Sequence, residues 1–451
     1  MKVAVVGLGK LGAVMAAVLA DRGHTVAGAD ANPQVVARIN QGQAPVSEPG
    51  LADLVARNRG RLAATVDTEK AATGAEVIFI VTPTPLAPDG TFSMDFVLSA
   101  GRAIGRSLRR SQGFPVVVLT STVMPGATGG QLLPLLESVS GKRCGLDFGL
   151  CYNPEFIALG SVIRDFLNPD LILIGESDPR SGQILEDLYH SLCANRPAVA
   201  RMNFVNAELT KLCVNTFVTT KISYANMLAE VCERLPGADV GVVTQALGLD
   251  SRIGGKYLQG ALGYGGPCFP RDNLAFAAMA RGLGVDPALA EATDRINRRQ
   301  APRVCRLVLG LLPPGGAVGI LGLAYKPDTN VIEESQGILL AQGLVDAGAR
   351  VLAYDPAAME PASKVLDGRI RLCSTLEECA ASADVVVIAT PWREFRALKP
   401  EHLKAGSGPP VVVDCWRILP RERFEGLVAY VTLGWGLGVA EAVSVSAATG
   451  T

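Results

Sequence analysis

MKVAVVGLGKLGAVMAAVLADRGHTVAGAD, residues 1–30, decides the fold. Lys2 to Val6 is a short, continuously apolar run of the kind buried on both faces of a parallel sheet, and it runs straight into GLGKLG at Gly7 to Gly12. Helical pattern follows from Leu11 to Asp21, a second strand from His24 to Asp30, and a second helix from Pro33 to Asn40. Strand, glycine turn, helix and strand, with an acid about 20 residues beyond the glycines, is the pattern of a dinucleotide-binding βαβ unit. Gly7 permits the tight turn, Gly9 lets the backbone approach a pyrophosphate, and Gly12 lets helix and strand pack closely. Asp30 is placed to accept hydrogen bonds from a ribose 2′-hydroxyl, and a 2′-phosphate there would meet a carboxylate. NAD is therefore expected in preference to NADP.

Working outward, further all-apolar strands are expected at Val77 to Val81, Val116 to Thr120, Phe148 to Tyr152 and Leu171 to Ile174, making a first domain over residues 1–200. From Asn206 to Leu235 there is neither Gly nor Pro. Apolar residues recur there at helical spacing (Leu209, Leu212, Phe217, Ile222, Leu228, Val231), which predicts a long spine helix about 45 Å in length, and Leu212, Val214 and Phe217 suggest that it is mostly buried. It belongs to a central helical region over residues 201–312. Leu312-Pro-Pro-Gly-Gly316 then breaks the chain, and strand-like runs restart at Ala317 to Leu321, Arg350 to Tyr354, Asp384 to Ala389 and Val411 to Asp414. The fold class is thus α/β, with two Rossmann-like doubly wound domains joined by a long central helix, the second over residues 313–451. Gly319 to Gly322 lacks the third glycine of the fingerprint and reads as an ordinary turn.

Composition narrows the function. Across 451 residues, 42 Lys and Arg balance 43 Asp and Glu, so no positive field exists to hold a nucleic acid or an anionic membrane surface. No apolar run approaches the roughly 20 residues of a membrane-spanning helix, and the N-terminus enters a strand without a signal sequence, so a cytoplasmic protein is expected. The ten cysteines form no CxxC pair and the three histidines are isolated, which leaves little material for a disulfide framework or a metal centre.

Two places could carry chemistry. On the spine helix Lys211 and Asn215 are four residues apart and share a face; an ammonium beside an amide can hold a substrate oxygen, whereas Glu208 three residues before Lys211 suggests a surface ion pair. The second is RIGGKYLQGALGYGGPCFPRD, Arg252 to Asp272. Gly260, Gly263, Gly265 and Gly266 can free backbone N–H groups for a diphosphate, with Arg252 and Lys256 as charge-assisted partners. Cys268 follows, with Arg271 to favour its thiolate and Asp272 to handle protons.

At these residues the chain resembles the UDP-glucose/GDP-mannose dehydrogenase family, most closely its UDP-glucose 6-dehydrogenase branch. The resemblance covers nearly the whole chain: GLGKLG with Asp30, SEPGL at Ser47 to Leu51, VTPTP at Val81 to Pro85, STVMPG at Ser121 to Gly126, and NPEFIALGSVIRDFLNPD at Asn153 to Asp170. It continues through AELTKLCVNTFVTTKISYAN at Ala207 to Asn226, the Cys268 loop, and GLAYKPDT at Gly322 to Thr329. It implies a four-electron oxidation of a hexose C6 alcohol to a carboxylate with two NAD, through a thiohemiacetal and a thioester on Cys268. Lys211, Asn215 and Asp272 would place the hydroxyl and a proton-accepting water, and Thr122 and Glu155 the hydrolytic water. The family's cofactor contacts carry over to Gly7, Gly9, Leu11, Gly12, Asp30, Thr82, Pro83, Thr84 and Thr122. Its UDP-sugar contacts carry over to Glu155, Phe156, Ile157, Lys211, Asn215, Tyr257, Leu258, Gly265, Tyr325 and Lys326. Arg252 would reach into the partner's site of a homodimer, and no metal is implied. Three places depart from the family pattern: Leu159 replaces the second Glu after NPEF, Val331 and Glu333 stand in the segment after KPDT, and Asp414-Cys415-Trp416 stands for DGR. Other readings are a GDP-mannose or UDP-N-acetylhexosamine dehydrogenase, a catalytically weakened homologue, and a β-hydroxyacid dehydrogenase, which has no use for Cys268 or a second α/β domain.

Overall fold

The computed structural model describes residues 1–404 and 409–436. The chain divides into two compact units, Met1–Val214 and Asn215–Thr451.

The first unit is built on eight strands: β1 (Lys2–Val6), β2 (Thr25–Ala29), β3 (Leu62–Thr65), β4 (Val77–Ile80), β5 (Val116–Leu119), β6 (Gly149–Tyr152), β7 (Leu171–Glu176) and β8 (Ala198–Met202). Their spatial order is β3-β2-β1-β4-β5-β6-β7-β8, so strand order reverses where β1 meets β4. Ligands of such sheets bind beyond the strand C-termini at that reversal. Successive residues point to opposite faces. Val3, Val5 and Phe79 pack on one side under the helix Gly12–Asp21, which is buried from Gly12 to Ala20. Ala4, Ile78 and Ile80 pack on the other side with Val97 and Ile104 of the helix Asp95–Arg110. The purely parallel expectation needs one correction: β7 runs antiparallel to β6, with Cys151 opposite Glu176 and Tyr152 opposite Gly175. An all-apolar strand reads the same in either direction, so its sequence carries no signal for this.

The second unit holds β9 (Ala317–Leu321), β10 (Arg350–Tyr354), β11 (Arg371–Leu372), β12 (Val385–Ile388), β13 (Val411–Asp414) and β14 (Ala429–Thr432). They pair in the order β11-β10-β9-β12-β13-β14, every neighbour parallel. The turn after β9 is not an ordinary one. Gly322 has φ +107°, and a Cβ on Gly337 would lie 2.1 Å from the Gly322 carbonyl oxygen. Gly7 and Gly12 make the same construction after β1, where φ is +95° at Gly7 and a Cβ on Gly12 would come 1.8 Å from the Gly7 oxygen. The close-packing glycine of the second sheet is hidden in the sequence because the loop Leu323 to Ser335 separates it from the turn.

The spine helix runs Phe204–Cys232 across the boundary of the units. Its faces match expectation only in part, with Leu212 fully buried. Glu208, Lys211, Asn215, Thr219, Ser223 and Asn226 are buried, while Phe217 is 66% exposed and Val231 47% exposed. The buried polar groups are satisfied by chain far away in sequence: Asn226 donates to the Leu262 carbonyl and accepts from the Ala261 N–H, and Ser223 donates to the Thr293 carbonyl.

Candidate active site

At the C-terminal edge of the first sheet, β1, β2 and β4 deliver Gly7, Asp30 and Thr82 to one cleft. A Cβ on Gly7 would meet the Val81 carbonyl oxygen at 2.5 Å, so the turn closes only with glycine, whereas Gly9 has nothing within 4 Å of its Cβ position and leaves open space for a ligand. Leu11 precedes the helix Gly12–Asp21, whose first N–H groups point into that space. Asp30 is fixed by two backbone donors, Leu8 N–H to Oδ2 and Asn32 N–H to Oδ1, each 2.8 Å. Each oxygen keeps a lone pair for a further donor. Thr84 donates to the Thr122 carbonyl at 2.7 Å and Ser121 to the Thr82 carbonyl at 2.6 Å, which stitches the loop after β4 to the loop after β5; Pro83 lies exposed between them. The buried Thr82 Oγ1 has no hydrogen-bond partner among the described residues. An open glycine cradle, an anchored acid and an unmet hydroxyl fit a bound dinucleotide.

Glu208 has a different role from the surface ion pair expected of it. It is fully buried and accepts the N–H groups of Gly126 at 2.5 Å and Thr128 at 2.8 Å, pinning the loop that carries Thr122. Burial pushes its carboxyl up, and the two amide donors oppose that. Glu208→Ala leaves both amides without a partner, each worth about 1–3 kcal/mol. Thermal unfolding should report a loss of about 2–4 kcal/mol. An unchanged midpoint would mean that water replaces the carboxylate there.

Glu155 follows β6 and is half-buried, with its carboxyl turned inward. Tyr189 Oη lies 2.7 Å from its Oε1, and Lys211 Nζ donates to its main-chain oxygen at 2.6 Å while sitting 4.6 Å from the Phe156 ring centroid. Burial pushes the Glu155 carboxyl up to about 7, opposed by the Tyr189 contact where that hydroxyl donates and by the charge of Lys211. Glu48, from the SEPGL segment, accepts the N–H groups of Gly160 and Val162 and so holds the following loop, in which Ile157 and Leu159 pack on the core. Leu159 thus carries an apolar contact where the family pattern has an acid. Tyr189 and the part played by Glu48 were not anticipated. Nothing local marks them, because each acts on a segment at least 34 residues away.

In the second unit Cys268 is exposed and caps the N-terminus of the helix Phe269–Gly282, where amide dipoles favour negative charge. One turn on, Asp272 is completely buried; its Oδ2 accepts from Asn215 Nδ2 at 2.6 Å and its Oδ1 from Arg271 at 3.0 Å. Arg271 therefore engages the acid. The preceding glycines are explained by packing rather than by free amides: a Cβ on Gly265 would meet the Glu334 oxygen at 2.2 Å, one on Gly266 would meet the Tyr325 ring at 2.5 Å, and the Gly266 N–H is spent on the Glu333 carbonyl. Tyr325 and Lys326 stand half-buried in that same loop, whose Val331 is buried and Glu333 exposed. Leu258 is buried, while Tyr257 has φ +65° with its ring half exposed, a backbone outlier of the kind found at ligand contacts. Arg252 is exposed and paired with Asp250 at 2.6 Å, and Lys221 donates to the carbonyls of Ile253 and Gly254 behind it. The Asp414-Cys415-Trp416 departure is structural: Trp416 Nε1 donates to the Ala389 carbonyl, and Arg417 ties the Leu433 carbonyl to Asp239.

Thr122, Glu155, Phe156, Ile157 and Lys211 belong to the first unit, and Asn215, Arg252, Tyr257, Leu258, Gly265, Cys268, Asp272, Tyr325 and Lys326 to the second. Lys211 and Asn215 lie one helical turn apart on the continuous spine helix.

Three domain signatures of the UDP-glucose/GDP-mannose dehydrogenase family match in order: its NAD binding domain over residues 1–193, its central domain over 205–299 and its UDP binding domain over 319–421. The UDP-glucose 6-dehydrogenase of Haloferax volcanii is 38% identical over 95% of this chain and 99% of its own length. That of Rhizobium meliloti is 37% identical over 94% and 96%. A solved UDP-glucose dehydrogenase from Pyrobaculum islandicum superposes with a TM-score of 0.86 at 36% identity, covering 96% of this chain and 98% of that one. With an NAD cleft, a cysteine loop and a second α/β unit matched along its length, the chain belongs to the UDP-glucose/GDP-mannose dehydrogenase family.

Proposed function

We propose that this chain oxidises the C6 alcohol of UDP-glucose to the carboxylate of UDP-glucuronate. The observation that carries the reading is Cys268, an exposed thiol at a helix N-terminus one turn from a buried Asp272 that Asn215 holds. An enzyme that stops at the aldehyde has no use for that thiol.

NAD supplies hydride acceptance, twice. Lys211 and Asn215 hold the C6 oxygen, and Asp272, acting through a water, receives the proton as the alcohol becomes an aldehyde. The Cys268 sulfur adds to the aldehyde carbon and the C6 oxygen takes a proton, giving a thiohemiacetal. Loss of a second hydride and of that proton leaves a thioester. Water positioned by Thr122 and deprotonated by Glu155 then breaks the C–S bond, so the carboxylate leaves and the thiol is restored. The UDP-sugar contacts are assigned to Phe156, Ile157, Tyr257, Leu258, Gly265, Tyr325 and Lys326 along with the residues above.

We further infer a homodimer built on the spine helix, with Arg252 contributed to the partner's site. Phe217, Tyr224, Met227, Val231 and Leu235 leave an apolar stripe exposed on the second unit, more than a lone monomer helix needs. No disulfide joins any of the ten cysteines, all of which lie among the described residues, which suits a reducing cytoplasm.

The test is product mass with NADH counted per sugar, for UDP-glucose, UDP-galactose, UDP-N-acetylglucosamine and GDP-mannose. Two NADH per UDP-glucose and a product heavier by one oxygen and lighter by two hydrogens are expected. Turnover confined to GDP-mannose or to the acetylated sugar would move the substrate within the family. One NADH per sugar would remove the thioester steps, and none with any sugar would leave a binding protein.

A further inference from the structure

We propose that Tyr189 and Asn153 form a directional relay that holds the proton on Glu155. The main-chain carbonyl of Leu173 can only accept a hydrogen bond. Asn153 Nδ2 donates to it at 2.9 Å, which fixes the side-chain amide so that Oδ1 faces the other way. That oxygen is buried and lies 2.5 Å from Tyr189 Oη, its one donor among the described residues. Tyr189 has a single proton, and burial, then the neighbouring Glu155, pushes its hydroxyl far above the usual range, so the proton stays on the oxygen. With that proton given to Asn153, Tyr189 presents only lone pairs to Glu155 Oε1 at 2.7 Å. The contact is then satisfied when Glu155 is the acid and donates. A carboxylate at the same place must either face lone pairs or take the Tyr189 proton and strand Asn153 Oδ1 in the core. Both alternatives are unfavourable in a low-dielectric interior.

The other groups around Glu155 act less specifically. Lys211, from the spine helix, favours the carboxylate. Cys193, which ends the helix Pro179–Leu192, has its thiol pushed up to about 11 by burial and then by Glu155, with Arg22 opposing. Phe166 packs on Tyr189 with ring centroids 6.0 Å apart, which keeps the hydroxyl in register. Burial holds the Glu155 carboxyl at about 7 even where Tyr189 donates to it, a contact that lowers it. With the Tyr189 proton given to Asn153 that opposition is gone, so burial and relay act in the same direction and Glu155 is divided between acid and base at neutral pH or somewhat above. A base that takes a proton from attacking water and then returns it to a leaving thiolate works best there. Tyr189 and Asn153 touch neither substrate nor cofactor in this scheme. They are positioning residues.

The catalytic meaning rests on reading Glu155 as the base of thioester hydrolysis, whereas the proton affinity does not, so the experiment separates the two. Infrared difference spectra of the full chain between acid and alkaline pH, with Glu155→Gln to identify the band, read protonation of Glu155 without substrate. Decay of the acyl-enzyme against pH reads it in turnover. Asn153→Leu removes the competing acceptor and releases the Tyr189 proton to the carboxylate. The affinity of Glu155 for its proton should fall about tenfold, one pH unit. Tyr189→Phe removes the lone pairs that accept from the acid, and a smaller fall of about threefold is expected. Because Asn153→Leu also strands the Leu173 carbonyl and can misfold, the sign for Tyr189→Phe decides. A rise of the midpoint in Tyr189→Phe would show that tyrosine donates to the carboxylate and would overturn the relay. A lowered infrared midpoint with an unmoved decay profile keeps the relay and removes Glu155 as the hydrolytic base.

Discussion

Cys268→Ala should abolish uronate formation, by about 10³-fold or more, while binding of UDP-glucose stays close to that of the parent chain. Cys268 sits at the N-cap of its helix with no side-chain capping bond, so alanine removes the sulfur without removing a helix cap and without crowding the site. Asp272, one turn on, keeps its bonds to Asn215 and Arg271, and the groups assigned to alcohol oxidation remain. The variant can then carry the sugar to the aldehyde but has no carbon–sulfur bond from which to draw the second hydride. At most one NADH per sugar is expected, with the aldehyde trapped by an amine reagent or seen as its hydrate by mass. The same measurement separates a simple alcohol dehydrogenase from an enzyme that passes the aldehyde, because only the latter loses half its NADH. Full uronate production by Cys268→Ala would mean that the aldehyde is oxidised as its hydrate, with no covalent stage.

What the chain discloses before folding follows from how local each determinant is. The first βαβ unit was legible because its turn, helix start and acid all fall within 30 residues and each glycine has a separate steric reason. The central strands were legible because burial on both faces leaves a continuous apolar run. The edge strands β3, β8, β11 and β14 were not, since each keeps exposed or half-exposed positions that read as loop. The spine helix was found close to its true bounds, but its faces were assigned by hydropathy. Its inner face holds Leu212, Ala225 and Ala229 but also Glu208, Asn215, Ser223 and Asn226, whose partners come from the Thr122 loop, from Asp272, and from the segment between Ala261 and Thr293. Periodicity cannot foresee a buried amide whose bond closes only with a residue 57 positions along the chain. The same limit hid Tyr189 behind Glu155 and Gly337 behind Gly322. Candidate residues were accessible through motif, and the residues that hold them in place were not.

Asp30 gives the second large effect, because NADP differs from NAD by a 2′-phosphate at the hydroxyl this acid is placed to meet. Both carboxylate oxygens are anchored, to the Leu8 and Asn32 N–H groups, so the side chain cannot swing aside to admit another anion. Two like unit charges at about 4 Å repel by roughly 4 kcal/mol at an effective dielectric of 20. Asp30 is only half-buried, and water screens part of that. About 3 kcal/mol should survive, which is on the order of a 10²-fold preference for NAD in kcat/KM. Asp30→Asn tests the charge with little change of shape. Its single amide oxygen can accept one of the two backbone donors, so the loop loosens, KM for NAD rises, and the repulsion of a 2′-phosphate disappears. The preference should then shrink by at least about tenfold, chiefly through better use of NADP. If the parent chain used the two cofactors with equal efficiency, Asp30 would be a turn-forming residue that fixes the strand end, and selection between them would have to lie with other groups around the ribose.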